Sequence, residues 1–142
     1  MNSIITNVGR VIVGKVLPNE DIIDAISELA IENNITSGLV NIIGALKKAT
    51  IGFFDLNKKE YNFKTFEEPF EIISCMGNIA YSIRGPIIHL HISLGREDFS
   101  VIGGHLSQPS IISITGEVYI YEINTKIIRS EDLQSKLFLL DV

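Results

Sequence analysis

The hydrophobic positions of this chain change period only once. From Gly9 to Leu17 (GRVIVGKVL) nothing polar interrupts the apolar run between Arg10 and Lys15, the pattern of a strand with both faces partly covered. Ile22, Ile23, Ile26, Leu29 and Ala30 then recur at helical spacing, behind Asn19 as N-cap with Glu20 and Asp21 in the first turn, which predicts a helix over 19–33. After it the pattern returns to short β-rich runs near 37–43, 49–55, 60–66, 70–76, 86–94, 100–106, 110–122 and 126–128. Asp55-Leu56-Asn57-Lys58-Lys59 and Arg96-Glu97-Asp98 are polar and short enough to close antiparallel hairpins, and Arg84-Gly85-Pro86 restarts the chain into a strand. The expectation is an α+β fold: a mainly antiparallel sheet with one principal helix. No linker, low-complexity tract or internal repeat divides the chain, so residues 1–142 read as one domain.

Composition strengthens the strand reading. The 26 Ile, 8 Val and 6 Thr are β-branched side chains that fit a pleated surface better than a helix. With 142 residues, 46% hydrophobic and 20% charged, the chain can bury a sizeable core, which excludes disorder throughout. Twelve Lys and Arg against seventeen Asp and Glu give a net charge of −5, which repels a phosphate backbone over most of the surface. The one cysteine, Cys75, has no partner for an internal disulfide, and Met1-Asn2-Ser3-Ile4-Ile5 lacks the basic and long apolar segments of a signal peptide. No apolar run approaches the roughly 18 residues that cross a bilayer. A reduced, cytoplasmic protein that does not span a membrane is expected.

Several signals resemble chemistry without its context. Gly9 to Lys15 has the spacing of a phosphate-cradling loop, but Val16 replaces the hydroxyl residue and the intervening side chains favour an extended strand. Arg84-Gly85-Pro86 resembles part of an AT-hook core but lacks the second arginine and basic neighbours. Glu67, Glu68 and Glu71 around Pro69 read as solvated loop surface rather than a paired acid and base. Cys75 reads as a small buried residue, since nothing beside it in sequence would lower its pKa.

The sharpest feature is the clustering of all three histidines within seventeen residues: His89 and His91 in Ile87-Ile88-His89-Leu90-His91-Ile92, and His105 in Gly103-Gly104-His105-Leu106. Strand residues two apart point to one face with α-carbons about 6.6 to 7 Å apart, so both imidazoles of the first pair can converge on one ion. The polar centre of 94–103 reads as a hairpin that returns His105 on a neighbouring strand, and Gly103 and Gly104 allow close backbone approach. A tetrahedral zinc asks for ligand nitrogens roughly 3.3 Å apart, and three imidazoles leave a fourth position for water. Glu117, an acid within an apolar strand, is the candidate base or hydrogen-bond acceptor beside such a site. The competing readings are half-buried strand histidines satisfied by hydrogen bonds and a solvent-facing Glu117 on an edge strand.

Gly44-Ala45-Leu46 with Gly52-Phe53-Phe54, Glu71-Ile72-Ile73-Ser74 with Gly77-Asn78-Ile79, His89-Leu90-His91-Ile92-Ser93-Leu94, Gly103-Gly104-His105-Leu106, Glu117-Val118 and Arg129 together resemble the PPC domain, the module shared by plants and prokaryotes. The resemblance covers about Arg10 to Leu140. It implies an α+β fold with an antiparallel sheet, a homotrimer, and a DNA-binding label inherited from plant relatives in which an arginine-rich AT-hook outside the domain does the binding. This chain starts at the domain and carries no hook, so direct nucleic-acid binding is not the expectation. The histidine motif is also similar to the zinc-binding histidines of the α-acetolactate decarboxylase family, which implies zinc on His89, His91 and His105. Two function classes follow: an oligomeric regulatory or interaction module, and a zinc-dependent hydrolase or lyase acting on a small carbonyl substrate with Glu117 assisting proton transfer. Ser107-Gln108-Pro109 departs from the family, whose members often have a glycine soon after the Gly-Gly-His-Leu run, and this bears on the rim of the site.

Overall fold

The computed structural model describes residues 2–83 and 85–142, so Met1 and Arg84 of the two segments named above lie outside it. Its elements run β1 (Val8–Val16), α1 (Ile22–Glu32), β2 (Gly38–Asp55), β3 (Glu60–Phe66), β4 (Phe70–Ser82), β5 (Gly85–Gly95), β6 (Val101–Ile123), β7 (Ile128–Glu131) and β8 (Phe138–Asp141). The fold is α+β, a mainly antiparallel sheet with one helix. The helix begins later than the spacing predicts because Asp21, not Asn19, is its N-cap. The Asp21 carboxylate accepts the Ile23 and Asp24 N–H groups at 2.8 and 3.3 Å, and its other oxygen accepts the Ser110 N–H at 2.6 Å, which pins the helix start to β6. Asn19 instead takes φ +75°, a turn conformation that asparagine tolerates better than most residues.

Two pairs of predicted strands are single long ones. The runs near 37–43 and 49–55 form the 18-residue β2, and those near 100–106 and 110–122 form the 23-residue β6. Register shifts between β2 and β6 at Gly44/Leu46, Leu46/Lys48 and Lys48/Thr50 bend both strands and reset their alternation. Gly44 serves this bend directly: its φ is +144°, and a Cβ there would lie 2.1 Å from the Thr115 carbonyl oxygen.

The bend allows closure. The first half of β2 pairs with β4, β4 with β5, β5 with the start of β6, and β6 with the second half of β2, so four antiparallel ladders return to their origin. β1 joins the far half of β6, β3 extends the second half of β2, and the β7–β8 hairpin attaches to β4 through a single parallel pairing at Tyr81 and Ile128. Helix α1 turns Ile22, Ile26 and Ala30 inward against β5 and β6. They meet Ile42, Leu46, Ile79, Leu90, Leu94, Leu106, Ile112 and Ile120, all essentially fully buried. Each such side chain contributes roughly 1.5–3 kcal/mol by leaving water. No helix among the described residues is long and apolar enough to cross a membrane.

Candidate metal centre

Period two on β5 decides where the histidines go. Leu90, Ile92 and Leu94 fill the core, so His89 and His91 project from the opposite face. The Arg96–Ser100 turn closes the predicted hairpin, with the Phe99 N–H donating to the Arg96 carbonyl at 2.9 Å, and sets His91 directly across from His105. Close approach depends on glycine, because a Cβ on Gly104 would lie 2.7 Å from the Gly52 carbonyl oxygen. The ring centroids are 5.2 Å apart for His89 and His91, 5.1 Å for His89 and His105, and 5.5 Å for His91 and His105. One nitrogen from each ring lies within 4.8 Å of the other two.

Around them sit residues that sequence spacing did not bring to the site. Tyr61 of β3 stacks on His105 with centroids 4.6 Å apart and planes 28° from parallel, and Phe63 continues the aromatic wall. Arg129 of β7 donates to Nδ1 of His89 at 3.0 Å, to Oδ1 of Asn78 at 2.8 Å and to the Phe138 carbonyl at 2.6 Å. A guanidinium has no acceptor, so Nδ1 of His89 accepts and the neutral ring carries its proton on Nε2. A cation held at His89 would take Nδ1 in place of Arg129, or Nε2 with its proton lost or shifted to Nδ1 at the expense of the Arg129 bond. The available signal was an arginine behind Ile127-Ile128, a charge in an apolar run that must find partners.

The donor set fits a soft-to-borderline divalent metal. Ligand imidazoles must be neutral, and burial, then Arg129, His105 and His91, push His89 down to about 4. Burial, then His91 and Arg129, also lower His105. Nδ1 of His105 is buried with no hydrogen-bond partner among the described residues, a polar atom whose need a ligand could meet. The 4.8 Å spread exceeds the roughly 3.3 Å between zinc ligands by about 1.5 Å, a gap that small side-chain rotations close.

Glu117 does not join them within one chain. It is exposed on β6 opposite Lys15 and Ile43, in the interior of the sheet rather than at an edge. Tyr119, two residues on, lies in the row Tyr119–Asn41–Met76–His91, three strand spacings of about 4.8 Å from His91. Other sequence signals resolve plainly. Gly9 to Lys15 lies in β1, Glu67 and Glu68 pair with Lys48 and Arg96, and burial pushes the Cys75 thiol up to about 12.

Comparison with curated protein sequences gives no match. Among solved structures, a metal-containing protein of Archaeoglobus fulgidus is 32% identical over 100% of both chains with a TM-score of 0.91. A protein of Bacteroides thetaiotaomicron bearing a provisional DNA-binding description is 30% identical over 96% of both chains with a TM-score of 0.89. Acetolactate decarboxylase of Bacillus subtilis subspecies spizizenii shares the fold alone: 12% identity, a TM-score of 0.58, and 82% of this chain against 53% of that one. The family model described as the Plants and Prokaryotes Conserved domain matches residues 4–124, and the chain belongs to that family.

Proposed function

We propose that this chain is a metal-binding regulatory or interaction module that works as a homotrimer, with His89, His91 and His105 holding zinc. The convergence of three imidazole nitrogens within 4.8 Å carries the reading. The metal-containing Archaeoglobus relative supports it. An ion so held would supply a Lewis-acidic, water-accessible coordination position. The oligomer is supported by an outer face on which Val11, Val13, Leu39, Ile43, Tyr119 and Tyr121 are all 39% exposed or more, a patch unusual for a lone subunit. Light scattering is expected to give three times 15.8 kDa, about 47 kDa; a 15.8 kDa particle at micromolar concentration rejects the trimer. Elemental analysis of protein purified without chelator is expected to give one zinc per chain, lost in His89→Ala. Failure to take up added zinc removes the metal reading.

A second reading, a zinc-dependent hydrolase or lyase acting on a small carbonyl compound, is favoured by the cavity of about 240 Å³ beside His89 and His105. It also gives the position beside the ion a chemical use, in polarising a carbonyl oxygen. The DNA-binding description of the Bacteroides relative fits this chain less well, since its net charge is −5. Lack of duplex retention at about 50 mM salt, where counterion release favours binding most, would count against that reading.

A further inference from the structure

Arg129 is only 7% exposed, yet among the described residues no carboxylate lies within 4.0 Å of it. The ion pairs among the described residues are Arg10 with Glu122, Lys48 with Glu67 and Arg96 with Glu68. The partners of Arg129 are neutral: the Phe138 carbonyl, the Asn78 amide oxygen and His89. These take three of its five N–H donors, and Nε is buried with no partner. Neutral acceptors satisfy geometry but leave the charge itself uncompensated in a poorly solvated place. Clamping the β7–β8 hairpin to β4 accounts for the hydrogen bonds to Phe138 and Asn78, though a neutral donor could make the same bonds.

The unmatched charge lines a cavity. Its volume is about 240 Å³, its polar side chains are Arg129, His89, His105 and Tyr61, and Ile88 and Phe138 contribute apolar wall. That is smaller than the roughly 300–1,000 Å³ of drug-sized sites and suits a small guest. In the metal-free chain one cation among apolar walls balances one negative charge, whereas a phosphate near its second ionisation would bring uncompensated charge into the pocket. We infer that Arg129 and this cavity form a binding site for a small monocarboxylate with a short apolar body. The inference deepens the metal-site reading by naming what enters beside the ion, but it rests on the arginine rather than on the ion.

The test titrates isobutyrate, its neutral isostere isobutyramide, and inorganic phosphate into zinc-loaded and chelator-treated protein, following the Arg129 Nε–H signal by NMR. Isobutyrate is expected to move that signal saturably, with isobutyramide and phosphate at least about tenfold weaker. Arg129→Gln is expected to weaken isobutyrate at least about tenfold, with partial recovery in Arg129→Lys, while both variants keep a cooperative unfolding transition. If Arg129→Gln fails to fold, the acid–amide comparison on the unaltered chain decides. Equal binding of acid and amide, tighter phosphate, undiminished binding by Arg129→Gln, or no perturbation up to about 50 mM isobutyrate overturns the inference. Isobutyrate binding to protein that takes up no zinc upholds it while removing the metal reading. Zinc uptake without isobutyrate binding to either form does the reverse.

Discussion

The two ends of β6 obey one pairing rule and put it to different uses. From Gly116 to Ile123 the strand lies between β1 and β2, alternating buried Val118 and Ile120 with exposed Glu117, Tyr119 and Tyr121. Its start, between β5 and β2, sends Leu106 to the core but brings His105 against two other imidazoles, with its Nδ1 buried and unpartnered. The far half gains stability from side chains that need nothing but each other. The near half holds one buried polar atom, Nδ1 of His105, that has no partner among the described residues, a cost retained where a ligand can meet it. Folding and site are therefore separable along one strand.

That separation can be broken by substitution. Ile120→Ala, in the far half, is expected to lose about 4 kcal/mol in urea unfolding while the folded fraction still takes up zinc, checked by equilibrium denaturation and metal titration. Lost zinc affinity in that variant would mean the halves are coupled. His105→Ala should do the opposite: zinc affinity falls at least about 100-fold by competition with a chromophoric chelator, and stability of the metal-free protein shifts by no more than about 1 kcal/mol.

The smallest effect sharpens the comparison through pH. In the folded, metal-free protein burial, then Arg129, His105 and His91, push His89 down from 6.5 to about 4. The unfolded chain therefore takes up its proton first, so stability is complete above pH 6.5 and drains as pH falls toward 4. Denaturation midpoints of His89→Gln should lose that part of the slope, whereas Ile120→Ala should keep it. An unchanged slope in His89→Gln would show that the imidazole is no more buried in the folded chain than in the unfolded one.

Much of this was readable before any coordinates. Period two put His89 and His91 on one face, and the polar 96–98 turn with Gly103-Gly104 announced the return of His105. What sequence concealed was the length of β2 and β6, because bulges near Gly44 and Lys48 reset the alternation and mimic a break between two strands. Ser107-Gln108-Pro109 looked like a loop and lies within β6. The helix start was blurred because Asn19, Glu20 and Asp21 are all polar, and only the bonds from Asp21 to Ile23, Asp24 and Ser110 single out the cap. β8 is exposed throughout and has no burial pattern to read. Tyr61 and Arg129 arrive by tertiary pairing, and the separation of Glu117 from the histidines follows from strand order, which local pattern does not encode.

The closed circuit of β2, β4, β5 and β6 ladders β5 on both sides from His91 to Gly95, whereas Gly85 to Leu90 pairs with β4 alone. Releasing the amides about His91 and His105 requires parting two ladders together, so their hydrogen exchange should be slower than that of the amides about His89, which one ladder holds. The part of the frame that carries His91 and His105 is thus held by connectivity before anything binds to it, while His89 and the β7–β8 hairpin beside it are attached more lightly.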